Sequence, residues 1–408
     1  MGKRSATQHY LRRYAESEIN LLSAIPWPQS YRHILCIPAY AETPAFLQRL
    51  QTLCAHHKAL VVVVINQPDE MSDCPANHEL VQFITDRAQL LHSVEHLSLF
   101  DFGGAHLLSV KRYQKSLALP KKFGVGLARK IAADIGVQLI SRGIISSRWL
   151  HTTDADVTLP RDYFSCTESL SGAAAVYPFH HHGDLNPITA ATLCYQQSLQ
   201  HYVDGLRWAG SPYAFHTVGS CLAINSDCYC QARGFPKRAG GEDFYLLNKL
   251  AKLGPIMALA GTPLLIAARR SQRAPFGTGP AVEKILALSN LDQFHTYDPE
   301  VFVELKEMLR LLSKAWEFLG NESGWYQALS PAARQASESL GLDQLFLHLR
   351  KQARNRETAQ RHIQHWFDGF RTLKFIHLLQ GNYYPPMPLR DALTKAEMLY
   401  MSNEEVLL

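Results

Sequence analysis

The stretch HTTDADVTLP, from His151 to Pro160, sets two carboxylates one residue apart directly after an apolar run. Asp154 and Asp156, two like charges this close, repel each other unless a cation sits with them. Oxygen ligands of this kind suit Mg²⁺ or Mn²⁺, which keep waters and take substrate phosphates as further ligands. Alone, Asp-x-Asp fits a solvated turn equally well. A second acidic pair, Glu242 and Asp243, follows two glycines in GGEDFYLLNKL (240–250). A carboxylate there can take a proton from a hydroxyl within hydrogen-bond reach, although acids are favoured in the first turn of any helix. His180, His181 and His182 offer further ligands for a metal or an acceptor, with a solvated loop as the plainer use. Arg269, Arg270 and Arg273 precede PFGTG, a combination suited to a diphosphate or to a plain surface turn.

These residues need elements that bring distant segments to one edge. HILCIPAY (33–40) reads as a short strand and TPAFLQRLQTLCAHH (43–57) as a helix started by Thr43-Pro44. ALVVVVIN (59–66) reads as an interior strand of a parallel sheet. Strand, helix and strand in this order form the βαβ unit of a doubly wound α/β fold. Residues 66–79 read as a loop, SVEHLSLF (93–100) as a strand, 122–142 as a long helix and 146–154 as the strand that delivers the two aspartates. Residues 172–179, 216–224 and 255–268 are also strand-like. In an open parallel sheet, ligands bind beyond the carboxyl ends of the strands, and strand alternation would point Asp154 and Asp156 to the same side. Past about residue 285, Phe302, Leu305, Leu309, Leu312, Trp316 and Leu319 form one amphipathic stripe, and 361–380 repeats the pattern. The expected organisation is an N-terminal helical segment (1–32), an α/β domain (33–285) and a helical C-terminal region (286–408).

Composition excludes some classes. A 408-residue chain with 47% hydrophobic and 19% charged residues has an ordinary globular makeup. The formal charge is +5, and Lys and Arg occur along the whole chain without a single stripe, which gives no sign of a nucleic-acid partner. Eight cysteines show no CxxC pair and no zinc spacing, so reduced thiols in a cytoplasmic, soluble protein are expected. The aliphatic run LVVVVI (60–65) falls far short of the roughly 20 residues that span a bilayer. Peripheral membrane contact stays open.

Four short segments occur in a fixed order: IPAYAET (37–43), LARK (127–130), TDADV (153–157) and GGEDFYLLNKL. Together, over about residues 33–280, they resemble the family-two nucleotide-sugar glycosyltransferases with the GT-A fold. The resemblance implies a mainly parallel central sheet flanked by helices. It also implies a nucleoside pocket framed by Pro38, Ala39 and Tyr40, with Glu42 beside it and Asn66 at the second strand end. Arg129 would contact the nucleotide, and Asp154 and Asp156 would hold Mn²⁺ or Mg²⁺ on the diphosphate, Asp154 also touching the donor. Gly219 and Ser220 would pass the donor sugar; independently of the resemblance, the basic, glycine-containing loop with Arg270 and Arg273 would fold over a diphosphate. Asp243, with Glu242 beside it, would be the general base. Two positions depart from the family: Ala41 stands where Asn is usual, and Asn66 where Asp is usual. The Q-x-x-R-W of processive members has no match, since Arg207-Trp208 precede the Glu-Asp pair.

The expectation is an inverting, metal-dependent, non-processive hexosyltransferase. Its donor is a nucleoside diphosphate sugar and its acceptor hydroxyl belongs to a saccharide, a lipid-linked or a small molecule. A sugar-phosphate nucleotidyltransferase would show a glycine-rich basic stretch near the first strand, which IPAYAET lacks. An inactive nucleotide-sugar-binding protein would have no use for both acidic pairs.

Overall fold

The computed structural model describes residues 5–402 apart from Gln272, Ala274 and Phe276. The chain opens with α1 (Ala6–Arg13), then β1 (His33–Ala39), α2 (Ala45–His56), β2 (Ala59–Asn66), α3 (Pro75–Arg87), β3 (Gln89–Val94), β4 (Leu97–Phe102) and β5 (Ala105–Arg112). It continues through α4 (Gly124–Ser141), β6 (Trp149–Thr152), β7 (Val157–Thr158), β8 (Ala174–Val176), β9 (Phe179–His182), α5 (Pro187–Trp208), β10 (Leu222–Asn225), α6 (Ser226–Gln231), α7 (Glu242–Leu250), β11 (Ile256–Ala258) and β12 (Leu264–Ala267).

Nine strands form one sheet in the order β11-β8-β10-β6-β1-β2-β5-β4-β3. Its centre is parallel, β6-β1-β2-β5. Every residue of β1 and β2 is buried, as expected of strands covered on both faces. Pro38 is tolerated in β1 because it lies beyond Cys36, the last residue paired with β6. Antiparallel pairs flank the centre: β10 with β6 and β8, and β3-β4-β5. The sheet is therefore mixed rather than mainly parallel, because burial and periodicity do not encode strand direction. A separate three-stranded sheet, β7-β12-β9, stands apart from it.

SVEHLSLF does not form one strand. The chain reverses at Glu95, whose φ of +50° is left-handed, and splits the segment between β3 and β4. The 255–268 segment divides likewise into β11 and β12. The loop read at 66–79 also contains the start of α3, with Pro75 in its first turn.

By its internal contacts the chain falls into two units: one up to Thr189 together with Thr217–Pro280, the other Ala190–His216 together with the chain from Ala281. This differs from the boundaries expected from sequence in two ways. The N-terminal segment belongs to the α/β unit, because the Asp134 carboxylate in α4 accepts from Tyr10 Oη (2.6 Å), Lys130 Nζ (2.8 Å) and the Glu16 backbone N–H (2.8 Å). Most of α5 belongs to the helical unit, where Gly205 lets the Phe302 ring lie against the helix backbone.

The helical unit continues from Ala281, within α8 (Thr278–Leu286), through β13 (His295–Thr296), α9 (Glu300–Ser313), α10 (Glu322–Gln327), α11 (Pro331–Ser339), α12 (Leu342–Gln352), α13 (Arg356–Trp366), α14 (Gly369–Asn382), β14 (Met387–Pro388) and α15 (Leu389–Ser402). The amphipathic stripes are core: Phe302, Leu305 and Leu312 are buried with Trp325, Phe346 and Phe375 in one cluster. Helix α9 stops at Ser313, before Trp316 and Leu319. The 361–380 stretch breaks at Asp368, which caps α14 by accepting from Arg371 N–H. No helix among the described residues is long and apolar enough to cross a membrane.

Candidate active site

Strand ends and one helix start converge on five carboxylates. Strand β6 ends at Thr152, so Asp154 and Asp156 sit on a turn rather than within the strand. Val157 N–H closes that turn onto Asp154 O (3.2 Å). The two side chains part company there, contrary to the strand alternation expected from sequence. Asp154 meets Arg129, whose Nη2 donates to both carboxylate oxygens at 2.7 and 3.0 Å. Asp156 Oδ2 accepts from Arg269 Nε at 2.7 Å. Arg269 reaches it because β12 runs beside β7, with Ala267 N–H donating to Asp156 O.

The guanidinium groups continue the network. Arg129 Nε donates to Glu242 Oε1 at 2.9 Å, so one buried cation joins the aspartate turn to the start of α7. Its Nη1 has no hydrogen-bond partner among the described residues. Arg269 Nη2 donates to Glu42 Oε1 at 2.9 Å, and Arg273 Nη1 donates to the same oxygen and to Tyr40 O. Burial works against the charge of Arg129, but Asp154, Glu242 and Asp243 outweigh it and hold its pKa above the usual range.

The acids respond to the same surroundings. Burial pushes Glu42 up to about 7, with Arg269 opposing and Asp156 reinforcing the shift. Asp154 rises to about 6 through burial, opposed by Arg129 and reinforced by Asp156. Asp243 rises to about 7 through burial and the charge of Glu242, opposed by the backbone N–H groups of Phe244 and Gly219 and by Arg129. Gly241, directly before α7, is needed for geometry, since its φ is +69°.

The remaining expected residues divide. Tyr40 and Glu42 lie beside Arg273 at the end of β1, where Ala41 has φ +53° and donates its N–H to Asn77 Oδ1 (3.1 Å). Pro38 and Ala39 are buried in β1 itself. Asn66 is buried and joins strand ends, its amide nitrogen facing Val64 O (3.2 Å) and Ala39 O (3.3 Å). Gly219 is a packing seat: a Cβ there would lie 2.9 Å from Arg129 Nη2. Ser220 is buried beside it. Arg129 is likewise interior, its Nε and Nη2 occupied by carboxylates, and not placed at a surface that a nucleotide could reach. Arg270 is exposed. Phe276 of PFGTG lies outside the described residues. His180, His181 and His182 form β9, with only His181 buried.

Sequence reading placed Arg269 in a basic loop and missed its role as the partner of Asp156. The signal available was its position just after a strand, although nothing in the sequence pairs that strand with β7. Asn77, which organises both strand ends, had no signal at all.

The carboxylate oxygens are hard donors of the right chemistry for Mg²⁺ or Mn²⁺. Their partners do not fit such a metal as arranged. Arg129 occupies both oxygens of Asp154 and Arg269 one of Asp156, and no group of three His, Cys, Asp or Glu among the described residues is placed to hold an ion. The cation demanded by the aspartate pair is supplied here by arginine.

No protein-family model matches the chain, and no curated protein matches it.

Proposed function

We propose that the protein transfers a sugar from a nucleoside diphosphate sugar to an acceptor hydroxyl, with inversion, on a GT-A type α/β unit. The observation that carries this reading is the convergence of both acidic pairs and Glu42 through Arg129 and Arg269 at the strand ends. In this reading Asp243 takes the acceptor hydroxyl proton as that oxygen bonds to the anomeric carbon, and the bond from this carbon to the diphosphate oxygen breaks. Arg269 and Arg273 are the partly exposed cations at the strand ends that would face the departing diphosphate. Backbone N–H groups of Phe244 and Gly219 hold the Asp243 carboxylate, while Glu242 and Arg129 set its charge environment.

A thermal-shift panel of nucleoside diphosphates and their sugar conjugates, with and without Mn²⁺, tests the donor. A ligand at 100 times its Kd stabilises by about 2.7 kcal/mol, a readily measured shift. No shift with any member would overturn the donor assignment. Shifts unaffected by chelator would confirm that arginine, not metal, holds the diphosphate.

A further inference from the structure

The chain's formal charge of +5 is the charge of one segment, residues 348–377, where seven Lys and Arg face only Glu357 and Asp368. Elsewhere cations and acids balance. The even spread of Lys and Arg along the chain therefore conceals a local excess, because the acids are not spread in the same way.

This segment runs from the end of α12 through α13 into α14 and is internally joined. His348 Nε2 and His362 Nδ1 lie 3.0 Å apart between α12 and α13. Arg371 in α14 donates to Trp366 O at 2.7 Å and lies over the Trp366 ring at 4.3 Å. Arg350 and Arg356 are spent on Glu322 and Glu317. Lys351, Arg354, Arg361 and Lys374 are exposed, with no carboxylate in ion-pair range among the described residues. Two apolar side chains are exposed here: Phe370 (37%), with the Lys374 ammonium 4.8 Å above its ring, and Leu347 (43%) in α12, one residue before the segment.

Cations spread over three helices do not converge on a small anion, so the partner must be extended and negative. The exposed Phe370 and Leu347 add a demand that a phosphate backbone alone does not meet. A bilayer with anionic headgroups meets both, since headgroups attract Lys and Arg while aromatic and aliphatic side chains enter the acyl boundary. We propose that residues 348–377 dock this protein on an anionic phospholipid surface. This stands independently of the reaction assigned to the α/β unit.

The test is co-sedimentation of the full chain with phosphatidylcholine vesicles, with and without phosphatidylglycerol. Binding to the anionic vesicles only, released by high salt, is the expected result. Reversing Lys351, Arg354, Arg361 and Lys374 together to Glu should weaken partition on the order of a hundredfold or more. All four are exposed, so circular dichroism should show an unchanged fold. If that variant does not fold, Lys351→Gln with Arg361→Gln serves the same comparison. Phe370→Ser should weaken binding while preserving the preference for anionic lipid. Equal partition to both vesicle types, or unchanged binding after charge removal, would overturn the proposal. So would absence of vesicle binding alongside charge-dependent binding of single-stranded RNA, which would make the surface a nucleic-acid site.

Discussion

Asp243 is held at about 7, first by burial and then by the charge of Glu242. A base works only when deprotonated, so transfer by this site should rise with pH through about 7 and level off above it. Glu242→Gln removes the like charge and should move the midpoint down, whereas Asp243→Asn should leave donor binding intact and slow transfer by ~10² to 10⁴. Full activity in Asp243→Asn, measured as transfer to the acceptor, would place the base elsewhere. Arg129 carries a different kind of risk. Arg129→Met strands Asp154 and the buried Glu242 without their counter-charge and should cost about 3 to 5 kcal/mol in denaturant unfolding. At Asp156 the contest is between arginine and metal. Calorimetry should find little heat when Mn²⁺ alone is added to the native protein and clear binding after Arg269→Ala, which frees Asp156 Oδ2. Tight Mn²⁺ binding by the native protein would return the pair to metal.

Helix α4 is the element that sets the site's tolerance. It carries Arg129 on a face held close to residues 236–238, where Gly126 N–H donates to Arg238 O at 3.0 Å. A Cβ at Gly126 would lie 2.4 Å from Pro236 O, so the approach needs glycine. Gly126→Ala should therefore push α4 away and destabilise by about 1 to 3 kcal/mol, read as a lowered urea midpoint at unchanged slope. The same displacement should reduce transfer, since the Arg129 to Glu242 bond bridges α4 and α7. A variant as stable and active as the native protein would show that this helix is not tightly seated. Most element positions were legible before the structure: β1, β2, α2 and α4 fall within a few residues of their sequence assignments, because continuous burial and helical spacing leave one reading each. The β3-β4 hairpin was not, because Glu95 and His96 are not turn residues by type.

For the whole molecule, acid stability contains opposing parts. Glu42, Asp154 and Asp243 have pKa values raised above the usual carboxylate range. The folded protein therefore binds protons more readily at these sites, and they favour folding as pH falls. Two core histidines do the reverse. His33 is buried against Phe164, with His151 5.7 Å away, and neither of its ring nitrogens has a hydrogen-bond partner among the described residues, Glu168 Oε1 lying 4.0 Å from Nε2. Burial, with Arg32 and His57 nearby, pushes it down to about 4, and burial pushes His151 well below its usual value. An unfolded chain protonates these rings near pH 6.5, so their share of stability is lost as pH falls from there to about 4. His33→Phe keeps the stacking and removes the titration. The native protein should lose up to about 3 kcal/mol relative to this variant between pH 7 and pH 4. Parallel pH profiles for the two proteins would show that His33 does not titrate in this range.

By itself the sequence determined the α/β character of the first part, the helical character of the last, and the residue types of the site. These follow from burial patterns and local chemistry, which act over a few residues. It also contained the charge excess at 348–377, visible once acids are counted with bases. Tertiary structure alone decided what each charged group faces. Asp154 and Asp156 read as one metal pair because they are neighbours in the chain, yet a turn sends them to Arg129, 25 residues away, and Arg269, 113 residues away. Arg129 and Gly219 read as donor contacts, yet they are packed on each other inside the fold. Coulomb energy depends on distance in space, and distances between residues far apart in sequence exist only once the strands have taken their order.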